Sequence, residues 1–157
     1  MINKRELSVG SYVEVQLSYG WLICQIEEIL RDDRVGAVVL YQSDAKGQFT
    51  IGKIEVFPLS SLNGIRCTWT PLRDFGFTDS DERGWKMVYW FGLDMKLLYR
   101  YDNKKMVGSF RFKTTYRKSY VHISCRYVQE LQNIMRFLTG GELEFEYQFP
   151  IKRGERL

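Results

Sequence analysis

Apolar and polar residues alternate along much of this chain, and the period is mostly two. Ser11 to Leu17 places Tyr12, Val13, Val15 and Leu17 among polar neighbours, as in a strand buried on one face. Ser18-Tyr19-Gly20 is a turn. Trp21 to Leu30 follows as a second strand, with Leu22, Cys24 and Ile26 on one side. A charged turn, Arg31 to Arg34, leads into the continuous apolar run Val35 to Tyr41, which suits a strand covered on both faces. Ser43 to Gly47 is a loop, and Phe49 to Ile51 and Ile54 to Phe57 complete five expected strands. Short strands joined by tight polar turns within residues 1–65 predict a small SH3-like barrel.

Beyond residue 65 the pattern changes, and residues 66–157 form a second expected lobe, joined to the first near 58–69. Thr70-Pro71 predicts a helix start, with Thr as cap and Pro at the first helical position, and Gly76 ends it. Leu72, Phe75 and Phe77 are its expected buried residues. Thr78 to Gly84 is an acidic loop and Trp85 to Phe91 an aromatic strand. Met95, Leu97, Tyr99 and Tyr101 then alternate with Lys96, Leu98 and Arg100. After a turn at Asp102 to Lys105, Met106, Gly108, Phe110 and Phe112 alternate with Val107, Ser109, Arg111 and Lys113. This is a hairpin with one apolar and one basic face; pairing Tyr101 with Met106 would set Lys96 opposite Arg111. Tyr120 to Ile123 is a further strand, and Ser124 can cap a helix over about 125–139. Tyr127, Leu131, Ile134 and Leu138 recur at helical spacing, which makes Leu131 and Ile134 expected core residues. Glu142 to Phe149 alternates acidic and apolar positions as a final strand, and the tail from Pro150 is charged. The class is α+β, mostly β: an N-terminal SH3-like barrel, then an antiparallel sheet that carries one amphipathic helix.

Three stretches resemble a known pattern. Tyr127 to Asn133, Phe137 to Gly140 and Glu142-Leu143 are similar to the C-terminal signature of a widespread family of small uncharacterised proteins. Glu6-Leu7, Val9-Gly10 and Tyr12-Val13 are similar to its opening, and Pro71-Leu72 with Phe75-Gly76-Phe77 to its middle. The chain departs at Gln129, where the family usually carries His, and at Glu130, where it usually carries Gln. Members occur in gut bacteria and in their phages and mobile elements. The resemblance implies a shared domain, brings no assigned activity, and gives Gln132 and Asn133 an expected structural role. Asn133 is expected to hydrogen-bond a neighbouring backbone segment.

Composition narrows the field. In 157 residues, 45% are hydrophobic and 15% aromatic, ample material for a core. No apolar run reaches the roughly 20 residues a membrane helix needs, and Met1 to Glu6 is polar, so the expected location is the cytoplasm, with no membrane partner. Cys24, Cys67 and Cys125 are odd in number and form no C-x-x-C pair; reduced, partly buried thiols are expected. The single histidine, His122, lies three residues from Cys125 on one strand, which sends the two side chains to opposite faces. No phosphate loop, nucleophile elbow or zinc motif occurs. Glu142, Glu144 and Glu146 share one strand face, read as a solvated edge that resists aggregation. No catalytic residue, metal or cofactor is expected.

Charge is the feature that points outward. The net charge of +4 conceals residues 95–127, which carry nine basic groups against one acidic. Lys96, Arg100, Arg111 and Lys113 lie on the outward hairpin face, Lys104 and Lys105 in its turn, and Arg117 and Lys118 in the next loop beside Tyr116. Such a field binds phosphate backbones with strong salt dependence, and a tyrosine beside it can stack on a base. Three readings stand open: a solvated face, a weak nucleic-acid site made of Lys96, Arg100, Arg111, Lys113, Tyr116, Arg117 and Lys118, or a dock for an acidic protein surface. The function expected is a noncatalytic binding module, the alternative being a phage or mobile-element protein that modulates a host protein.

Overall fold

The computed structural model describes Ile2 and residues 4–43, 47–116 and 118–139. The final strand and tail expected beyond residue 139, and Arg117, lie outside the described residues. The chain divides into two compact units, one holding the described residues through Ile65 and those from Val128 to Thr139, the other those from Arg66 to Tyr127.

The first unit is an antiparallel sheet. Its strands are β1 (Tyr12–Leu17), β2 (Gly20–Ile29), β3 (Arg34–Gln42), β4 (Ile54–Pro58) and β5 (Leu62–Asn63). They lie in the order β4-β3-β2-β1-β5. The alternation seen in sequence becomes the core: Val13, Val15, Leu22, Cys24, Ile26 and Val39 are fully buried. Each such side chain contributes about 1.5–3 kcal/mol. Register shifts at Ile23/Cys24 and Ile26/Glu28 bend β2. Two expectations differ from the outcome. Phe49 to Ile51 is not a strand; it runs into a turn with Gly52 at φ +89°, and the fifth strand is instead Leu62–Asn63. The sheet is also open among the described residues, with β4 and β5 as its edges, rather than the closed barrel expected.

The largest correction concerns the helix α2 (Val128–Thr139), which belongs with the first unit and not with the second sheet. It is anchored by side-chain amides. The backbone N–H of Tyr12 donates to Gln132 Oε1 at 3.0 Å, and Gln132 Nε2 donates to the Gly10 carbonyl at 3.0 Å. Asn133 Nδ2 donates to the Glu6 carbonyl, and Arg136 donates to Ser8 Oγ and the Val9 carbonyl. The buried face is therefore Val128, Gln129, Leu131, Gln132 and Met135. Leu131 is fully buried as expected, but Ile134 is 36% exposed. An apolar count misplaces the stripe, because two of its residues are glutamines.

The second unit opens with the short helix α1 (Trp69–Asp74). Its N-cap position is Thr68 rather than Thr70, and Gly76 at φ +97° ends the turn. Five antiparallel strands follow in the order β10-β9-β8-β7-β6: β6 (Thr78–Asp79), β7 (Met87–Phe91), β8 (Met95–Asp102), β9 (Val107–Thr114) and β10 (Tyr120–Cys125). Met87, Tyr99, Phe110 and Ile123 face one another across four strands, all buried. Phe77 packs edge-on against Tyr99 and Phe110. The Tyr99 hydroxyl donates to the Cys67 carbonyl at 3.0 Å, and burial pushes its pKa up.

Candidate functional site

The β8–β9 hairpin carries the expected basic face, in a register two residues from the one expected. Tyr101 pairs with Gly108 and Asp102 with Val107, so Met106 falls in the turn at φ +56°. A shift of two preserves which face each side chain occupies and changes its neighbour. Lys96 lies opposite Lys113, not Arg111, and Arg111 lies opposite Leu98.

Two lysines directly across a ladder repel. Glu82, in the loop between β6 and β7, relieves this: Lys113 Nζ donates to its Oε1 at 3.0 Å, and Lys96 Nζ lies 3.5 Å from Oε2. The loop is held shut by hydrogen bonds from the Ser80 N–H to the Lys86 carbonyl and from the Glu82 N–H to Ser80 Oγ. Desolvation raises the pKa of Glu82, but the Lys113 hydrogen bond and the two ammonium charges outweigh it, and the carboxyl titrates below its ordinary value. From the same loop Trp85 stacks with both guanidiniums, 4.6 Å from Arg100 and 5.0 Å from Arg111. Arg111 also lies 3.9 Å from the Tyr120 ring. The acidic loop thus reaches over the basic face through Glu82 and Trp85, and Val88 and Leu98 are buried in the same sheet.

Other basic side chains lie at the hairpin end. Arg100 and Lys104, together with His122, Ser109 and Asn103, line an open cleft of about 420 Å³. Asp102 also lines it, but its carboxylate accepts the backbone N–H groups of Lys104 and Lys105 at 3.0 and 3.2 Å. The Lys105 hydrogen bond is the largest influence holding Asp102 below its ordinary pKa. A small anion in this cleft would meet a guanidinium and an ammonium, with the Asp102 carboxylate beside them opposing it in charge.

The sequence-derived residues therefore separate into groups. Lys96 and Lys113 share Glu82, and Arg100 and Arg111 share Trp85. Tyr116 is 80% exposed in the turn after β9, and Lys118 is exposed nearby in sequence. Gln132 and Asn133 serve the first unit's packing, as described above. Sequence reading missed Glu82, Trp85, Trp90, Tyr120 and the cleft position of His122. Period-two alternation shows which face a strand residue takes, but carries no information on a loop that folds back over it. Cys125 is buried while His122 is exposed, and burial pushes the Cys24 thiol up to about 12. No group of three metal-ligating side chains occurs among the described residues, and no described helix is long and apolar enough to cross a membrane. Comparison of the chain with protein-family models, curated proteins and solved structures gave no match.

Proposed function

We propose that this chain is a noncatalytic binding module that holds polyanionic nucleic acid weakly through its second unit. The observation that carries this reading is the open hairpin-end cleft, which Arg100 and Lys104 line and where the Asp102 carboxylate accepts the backbone N–H groups of Lys104 and Lys105. The unit from Arg66 to Tyr127 carries thirteen basic groups against six acidic, a field that favours phosphate. Titration of labelled DNA and RNA at about 50 and about 200 mM salt tests it, since counterion release makes phosphate binding fall steeply with salt. Changing Arg100 and Lys104 together to Ser is expected to weaken binding and flatten its salt dependence. Absence of binding to any nucleic acid at the lower salt overturns the reading.

On this reading the first unit is an SH3-like scaffold: four meandering strands, a fifth returned beside β1, and the bulges in β2 that would curl the sheet. The proposed setting is the cytoplasm, in keeping with three buried cysteines that form no disulfide among the described residues. A second reading, a phage or mobile-element protein that docks on a host protein, is favoured by Ile51, Ile54 and Val56, exposed at or beside the edge strand β4. Replacing Ile54 and Val56 with Asp would abolish such docking and leave nucleic-acid binding intact.

A further inference from the structure

The register of the second sheet builds one cross-strand row whose chemistry differs from the rest. Trp90 pairs with Lys96, Lys96 with Lys113, and Lys113 with Tyr120, so these four residues stand in line on one face of four strands. Strands about 4.8 Å apart set the two rings roughly 14 Å from each other. Both rings are open, Trp90 at 48% and Tyr120 at 51%. Each already lies against a cation: Lys96 Nζ is 5.2 Å from the Trp90 centroid, and Arg111 is over Tyr120. The lysines between them hold a single carboxylate, Glu82.

We infer that this row is a stacking platform for single-stranded nucleic acid, with Glu82 occupying the place a backbone phosphate would take. The inference rests on the nucleic-acid reading above and narrows it. Duplex bases are stacked on one another and cannot lie on protein rings, whereas single-strand bases can, and every base has a face to offer. Charge complementarity selects the occupant: a strand that brings its own phosphates satisfies Lys96 and Lys113 in place of Glu82, while an apolar partner would leave the lysines desolvated. Glu82 is thus a competitor for the site as well as its internal counter-charge, and binding must displace it.

The test is fluorescence anisotropy of labelled oligothymidylate, oligouridylate and a duplex of mixed sequence, at low salt, with the full chain. Both single strands are expected to bind more tightly than the duplex. Trp90→Ala and Tyr120→Ser are each expected to weaken single-strand binding about five-fold or more, and to leave duplex binding unchanged. Glu82→Gln is expected to strengthen single-strand binding about two- to five-fold, the worth of a partly exposed ion pair. Trp69→Ala, an exposed tryptophan on α1 and outside the row, is expected to have no effect. Thermal unfolding of each variant confirms that it is folded. Equal affinity for duplex and single strand, or unaltered binding in both ring variants, overturns the inference while salt-sensitive duplex binding leaves the broader reading standing. Failure to bind either form overturns both.

Discussion

Two buried glutamines on one helix show how differently the same side chain can act. Gln132 completes the backbone pairing of Gly10 and Tyr12, while neither amide atom of the fully buried Gln129 has a hydrogen-bond partner among the described residues. Gln132→Ala is expected to destabilise the protein by about 1–3 kcal/mol for each backbone group it strands, whereas Gln129→Leu is expected to be neutral or stabilising. Urea unfolding of both variants checks the contrast; equal losses would show that Gln129 is satisfied in solution. Glu82 gives a prediction in pH. Its folded-state pKa lies below the ordinary value of 4.5, so its contribution is fully present above that value and is lost as pH falls through the folded pKa. Wild type is expected to exceed Glu82→Gln by about 0.2–1 kcal/mol at pH 7. That difference should vanish as acid protonates the carboxyl, which melting curves from neutral to strongly acidic pH will show.

At the scale of elements, β9 contains a glycine that packing requires. A Cβ on Gly108 would lie 2.8 Å from Cys67 Cβ and from the Phe110 ring, and 3.2 Å from the Cys125 carbonyl. Gly108→Ala is therefore expected to cost about 1–3 kcal/mol by overpacking, although alanine itself suits a strand better. A rise in stability on chemical denaturation would contradict this. In α2, Leu131→Ala is expected to cost about 2–5 kcal/mol, and Ile134→Ala well under that, since Ile134 keeps much of its surface in water. The hairpin's alternation was legible in the sequence, and so was the sidedness of Lys96, Arg100, Arg111 and Lys113. The register was not. The turn takes residues 103–106 and accommodates a left-handed Met106, a choice made by the closure of the Asp102 carbonyl on the Met106 N–H.

The whole molecule is discontinuous in sequence. The chain leaves the first unit at Ile65 and re-enters it at Val128, whose N–H donates to the Ile65 carbonyl at 2.8 Å. Within the second unit, Arg66 bridges Tyr127, and the Cys67 N–H donates to the Arg126 carbonyl, so the entering and leaving segments of residues 66–127 run side by side. A segment with adjacent ends and its own core has the anatomy of an inserted domain. Residues 66–127 expressed alone are expected to give a cooperative unfolding transition, and residues 1–65 alone are not, because they lack α2. Circular dichroism and thermal melts of the two fragments check this, and a cooperative melt of 1–65 would count against the role given to the helix.

The sequence by itself determined the β-rich class, the strand faces, the change of pattern near residue 65 and the one-sided charge of the hairpin, because each follows from a period of two or a local turn signal. Only the tertiary structure decided which unit takes the helix, since polar Gln132 docks it through backbone groups more than a hundred residues away. Tertiary structure alone also decided that Glu82 and Trp85 cover the basic face and that Trp90, Lys96, Lys113 and Tyr120 stand in one row. Loop closure and strand register are set by contacts distant in the chain, and those leave no local period to read.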